Sequence, residues 1–135
     1  MTYDCGRILS ISATGPVGWG LDPTVDLDTS ACYTNYGSAI DYSAPGGNFA
    51  LYPGSQWWLD MVFSTFPDGW AWMAGTSMAT PHVSGVAALI IEANGHRLTP
   101  SQVESILRQS ADDLGKPGRD EWYGRGRVNA AQAVQ

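Results

Sequence analysis

The chain has 135 residues, 44% of them hydrophobic and 15% charged, with 16 glycines and a formal net charge of −6 at pH 7. That balance excludes a disordered or fibrous chain and suffices for one buried core. It also argues against nucleic acid as a partner, because a phosphate backbone attracts a basic surface and this chain is acidic.

Neither a secretory nor a membrane-spanning segment is visible, which leaves the membrane out as a partner. Met1-Thr2-Tyr3-Asp4 has no basic region and no long apolar run, so any export signal would lie upstream of it. In chain order, strands come first and helices follow. Ile8 to Ser12 and Ile40 to Ser43 are short, rich in β-branched or small residues, and bounded by glycine or proline, as buried parallel strands tend to be. Between them Asp22, Asp26 and Asp28 lack EF-hand spacing and are expected to form a solvated loop. The stretch from Gly46 to Pro67 carries Phe49, Tyr52, Trp57, Trp58 and Phe66, and Trp70 and Trp72 follow it. Large rings usually bury their area, so these are expected to pack onto the domain. A peptide or sugar contact surface close to Ser77 is the alternative.

A helix is predicted from about Ser77 to Ala93. Val83, Val86, Ala87, Leu89 and Ile90, interleaved with Ser84, Gly85 and Ala88, give it the character of a central, heavily buried helix. Pro81 cannot donate to the carbonyl of Ser77, which loosens the helix start, and Asn94-Gly95 ends it. Thr99-Pro100-Ser101-Gln102 is a capping box with proline at the first helical position, and Val103, Ile106 and Leu107 then form one apolar face. A last short helix is predicted from Val128 to about Val134. Asp112, Asp113, Asp120 and Glu121 are expected to be solvated.

The chemistry concentrates at Ser77. A serine on a glycine-flanked turn at a helix start lies among unpaired N–H groups and the positive end of the dipole. Those groups can hold the negative charge that develops when an acyl carbon is attacked, with the serine's own N–H as one oxyanion donor. The undecapeptide Gly75-Thr76-Ser77-Met78-Ala79-Thr80-Pro81-His82-Val83-Ser84-Gly85 closely resembles the active-site serine motif of the subtilisin-like serine proteases (subtilases), in which the matching serine is the nucleophile. Other segments resemble the same family. Arg7 to Thr14 looks like its buried strand before a variable loop. Tyr33 to Gly47 is similar to the segment ending in Ala-Pro-Gly, and Val62 to Thr65 to the short strand that follows. Tyr123 to Ala130 is similar to the closing Gly-x-Gly-x-x-Asn-Ala element. The resemblance implies an α/β fold with a doubly wound, mainly parallel sheet. Residues 1–135 match only its C-terminal portion, less than half of such a domain.

A serine hydroxyl needs a base, usually a histidine oriented by a carboxylate. His82 is five residues from Ser77, about 140° round a helix, and His96 lies roughly 28 Å along the axis, so neither suits the role. In the family His82 matches a motif histidine outside the triad. The family's chain order is aspartate, histidine, serine, and no histidine precedes Ser77. The order serine, acid, histidine fits poorly, since Glu92 is the one acid between Ser77 and His96. Ala79 also breaks the Gly-x-Ser-x-Gly elbow.

The resemblance therefore implies that the aspartate and histidine segments, the asparagine oxyanion donor and most of the specificity pocket lie outside this sequence. Ser77 is the catalytic residue it assigns. The expected function is a serine endopeptidase acting on peptide or protein substrates in the complete parent. The isolated chain, needing the missing N-terminal part for a complete site, is expected to be inactive. A non-catalytic remnant or interaction module is the alternative. The family is largely secreted, which implies an extracellular protein. Its members often bind calcium, but no motif here assigns a site and no other cofactor is implied. Cys5 and Cys32 permit one disulfide and fit two free thiols equally well.

Overall fold

The computed structural model describes residues 8–50 and 56–135. Strands β1 (Ile11–Thr14) and β2 (Tyr42–Pro45) pair in parallel, with Ile11 opposite Tyr42 and Thr14 opposite Pro45. The parallel pairing expected of these two strands is present, displaced two or three residues toward the C-terminus. The cause lies at Ser10, whose N–H is taken by the Asp41 carboxylate at 3.0 Å and whose carbonyl accepts from Asp41 N at 2.8 Å. Asp41 thus ties off the chain before the ladder opens, and Ile8, apolar but 87% exposed, lies outside the sheet. The closing segment adds itself beside β2: Ser43 N donates to Gly126 O, and Val128 N donates to Ser43 O.

Helix α1 (Thr76–Ala93) packs across both strands, burying Ala79, Val83, Val86 and Ile90. The strand residues beneath it include the small Ala13 and Ala44, so the helix can approach the sheet closely. Leu89 corrects the sequence expectation, because it is 49% exposed. It lies with Pro81, His82, Gly85 and Ala88 on the face turned away from the sheet, so the helix is buried on one side only. The helix ends as expected: Asn94 caps it, Gly95 takes φ 65°, and His96 N returns to Ile91 O at 2.9 Å.

Helix α2 (Pro100–Ser110) carries the full capping box. Gln102 N donates to the Thr99 hydroxyl, and Thr99 N donates to Gln102 Oε1. Its Val103 and Leu107 close the core over the fully buried Tyr42, together with Val128 and with Ala133 of α3 (Ala130–Ala133), which starts two residues after the predicted Val128 because Asn129 caps it.

Two acidic groups expected to be solvated instead organise the chain. Arg127 bridges Asp28 of the first loop and Asp112 after α2, and Asn129 and Gln132 also donate to Asp112. Burial raises the Asp112 pKa, but the hydrogen bonds from Arg127 and Asn129 and the charge of Arg127 outweigh it and hold the carboxyl below its ordinary value. The network therefore stabilises the fold above the ordinary carboxylate pKa, and that contribution is lost as pH falls through the depressed value. In the complete protein, Arg127→Ala is expected to lower stability by about 1–2 kcal/mol and to flatten the acid limb of the stability profile, measured by urea unfolding between pH 3 and 7. Likewise Asp120 Oδ1 accepts from Trp122 N and Tyr123 N, and Asp113 accepts from Gly118 N.

Candidate active site

A segment beyond the first sheet shapes the approach to α1. Strands β3 (Val62–Phe66) and β4 (Gly69–Met73) form an antiparallel hairpin whose chain runs directly into Gly75 and the helix. The expectation that the aromatics here pack onto the domain fails for Phe66 and Trp70, which stay exposed, whereas Phe49 meets it by stacking on Tyr33. Phe63, Trp70 and Trp72 lie on one face of the hairpin and stack on one another, Phe63 to Trp70 at 5.3 Å and to Trp72 at 4.6 Å. Trp58 of the 3-10 turn Trp57–Asp60 joins them against Trp72. Trp70 remains 67% exposed and Phe63 50%, because cross-strand pairing satisfies the rings without a second layer. Tyr52 lies outside the described residues. The opposite face, with Val62, Phe66, Ala71 and Met73, lines a groove of about 740 Å³ against Met78, Pro81 and Leu89 of α1.

Ser77 lies at this groove and is exposed. Its helix starts one residue earlier, at Thr76, with Gly75 as an extended N-cap that offers no side chain to the first turn. Gly75 O accepts from Met78 N at 2.9 Å and Ala79 N at 3.2 Å. Among the described residues, no acceptor is present for the N–H groups of Thr76 and Ser77 or for the Ser77 hydroxyl. Two backbone donors at the positive end of an 18-residue helix are thus free beside a free hydroxyl. That arrangement suits an oxyanion forming on an acyl group attacked at this point.

Neither histidine completes it. His82 lines the same groove, but its Nδ1 is bonded to Met78 O at 2.8 Å, along its own helix. His96 pairs with Glu92 at 2.8 Å at the far end.

The position of Gly75 is set from the other side by the turn that ends β2. Gly75 N donates to Gly46 O at 2.9 Å. A β-carbon on Gly46 would stand 2.6 Å from Ala13 Cβ and 2.7 Å from Gly75 O, so only glycine allows this approach. In the complete protein, Gly46→Ala is expected to cost about 1–3 kcal/mol in unfolding free energy, read from the urea midpoint, and to displace the start of α1. Tyr33 reaches the same turn: its hydroxyl lies 2.8 Å from Gly46 O and 2.7 Å from Gly47 O. Burial pushes its pKa up to about 12, against a smaller opposing effect of the Gly75 N–H. It is therefore a protonated donor throughout the neutral range. In sequence Tyr33 is only the first residue of a segment similar to the family, and a tyrosine 13 residues before a Gly-Gly turn gives no local signal of such a contact.

The acidic loop offers no converging oxygens. Asp22 accepts from Thr24, Asp26 from Asp28 N, and Asp28 is paired with Arg127. Among the described residues no group of three His, Cys, Asp or Glu side chains could hold a metal ion. No described helix is long and apolar enough to cross a membrane. The question of a Cys5–Cys32 bond falls outside the described residues, since Cys5 is not among them.

The architecture is a parallel α/β unit that presents a serine at a glycine-capped helix start. The match is to one family. The subtilase family model covers residues 5–126, and the chain belongs to that family. It is 40% identical over 114 residues to halolysin of Haloferax mediterranei, covering 84% of this chain and 18% of that protein. It is 37% identical over 142 residues to an extracellular basic protease of Dichelobacter nodosus, covering 96% of this chain and 19% of that one. Among solved structures, a lanthipeptide protease superposes with a TM-score of 0.76 at 32% identity, covering 94% of this chain and 42% of the other. The chain thus has a subtilase fold and spans less than half the length of each of these relatives.

Proposed function

We propose that these residues are the C-terminal portion of a subtilisin-like serine endopeptidase domain, and that Ser77 is the nucleophile of the complete protein. Ser77 attacks the carbonyl carbon of a bound peptide, and the Ser77 N–H donates to the resulting oxyanion. The amine leaves, and water then hydrolyses the acyl-enzyme. The proton from the hydroxyl goes to a histidine supplied by chain outside residues 1–135, as do the carboxylate that orients it and a further oxyanion donor. Peptide or protein is the substrate, bound along the groove between α1 and the β3–β4 hairpin. The single observation that carries this is the conjunction at Ser77 of an exposed hydroxyl with two backbone donors, all without a partner among the described residues.

The protease names of the relatives support the activity, and "extracellular" in the name of the Dichelobacter relative supports a secreted protein. Calcium has no assigned place in this part of the domain. The complete protein should digest an unfolded protein substrate, and a serine-directed fluorophosphonate should stop it. A folded complete protein that digests nothing would favour the non-catalytic remnant.

A further inference from the structure

We propose that Tyr33 is a positioning residue for the nucleophile turn, acting on Ser77 through the backbone of Gly46 and Gly75. This inference rests on the reading of Ser77 as the nucleophile. Tyr33 sits in the long connection between β1 and β2, but it is held there as firmly as a strand residue. Ala31 N donates to Ala13 O at 2.9 Å on one side of it, and Thr34 Oγ1 accepts from Ala13 N at 2.9 Å on the other. Its ring lies on Phe49 at 5.1 Å, nearly parallel. With backbone and ring fixed, the hydroxyl has one place to go, the cleft between the carbonyls of Gly46 and Gly47.

The consequence runs along a chain of hydrogen bonds. The Tyr33 O–H donates into the pair of carbonyls, Gly46 O accepts from Gly75 N, and Gly75 O accepts from the first two helical donors that follow Ser77. Gly46 and Gly47 have no side chains of their own to resist a twist of the turn, and Gly47 is at φ 76°. Without the hydroxyl, Gly47 O loses its partner among the described residues. Asp60 and Met61 lie close against Gly47 and leave no room on that side, so the turn relaxes on its carbonyl side, where Gly46 O holds Gly75 N. A shift of Gly75 is inherited two residues later by the Ser77 hydroxyl and its N–H. The geometry of both is what acylation requires, and about 1 Å of misplacement can cost about 100-fold in rate.

Tyr33→Phe keeps the ring, the stack on Phe49 and the loop anchors, and removes one hydroxyl. It should be compared with wild type in the complete protein, with competent sites counted by fluorophosphonate titration so that any misfolded fraction drops out. Tyr33→Phe is expected to lower kcat per titrated site about 10- to 100-fold, with KM within about threefold and Tm within a few degrees. A kcat per titrated site within twofold of wild type would overturn the proposal, whether or not Tm falls, because that is what a merely structural tyrosine gives. A rate loss carried wholly by KM would also overturn it. Wild type that no fluorophosphonate labels would overturn it together with the role of Ser77, and is thereby distinguished from a failure at Tyr33 alone.

Discussion

Ser77→Ala in the complete protein is expected to lower kcat by about six orders of magnitude while leaving Tm nearly unchanged. That magnitude is the one measured for the serine of subtilisin, a member of this family, and is carried over rather than derived from the geometry. What the structure contributes is the reason the fold should survive. The Ser77 side chain is exposed and holds nothing in place, alanine is a better helix former than serine, and the capping bonds of Gly75 are made by backbone. Rate and stability should therefore separate cleanly. Steady-state hydrolysis of a peptide and a thermal melt on the same sample check both, and a loss smaller than about tenfold would remove Ser77 from the chemistry.

The second large effect is expected when residues 1–135 are expressed alone: no peptide hydrolysis, and no cooperative unfolding from a soluble monomer. The hydroxyl would stay protonated at neutral pH, since both histidines are bonded away from it. The surface gives the second half of the expectation. Large apolar side chains stand exposed among the described residues, Leu89 at 49% and Phe66 at 54% among them. One groove of about 890 Å³ runs between β1, α1 and α2, lined by Leu9, Ile11, Ala87 and Ile91, and another lies along Leu89 and the hairpin. Such faces favour aggregation or pairing with a complementary partner. Peptidase assay and urea unfolding of the 135-residue chain check the two halves. Turnover that depends on Ser77, or a single cooperative transition from a monomer, would identify a self-sufficient protein.

Much of this was legible before any coordinates, because it depends on short-range chemistry. The capping box at Thr99, the Asn94-Gly95 stop and the helix start beside Ser77 are each written within four residues. The parallel pairing of β1 and β2 was legible from their brevity and apolar character, but their limits were not. Those depend on Asp41 reaching back 31 residues to Ser10. Burial of Leu89 was inferred from periodicity, which cannot say whether an apolar face has anything to pack against.

Strand β4 is not among the elements predicted from sequence, although its signal is present. Pro67-Asp68-Gly69 is a turn sequence, and Trp70-Ala71-Trp72-Met73 follows it as a β-rich run. The acidic residues were misjudged for the opposite reason. An aspartate that caps a turn or meets Arg127 across 99 residues looks the same in sequence as one that is solvated. Tyr33 belongs to that class, since its partners are two carbonyls that no pattern of side chains announces.

The most direct measurement is the site of a covalent adduct. The complete protein is treated with a fluorophosphonate, digested and mapped by mass spectrometry, with Ser77→Ala as control. A single adduct on Ser77, absent from the alanine variant, is the expected result. An adduct on another serine, or one that persists in Ser77→Ala, would contradict the assignment of Ser77 as the nucleophile.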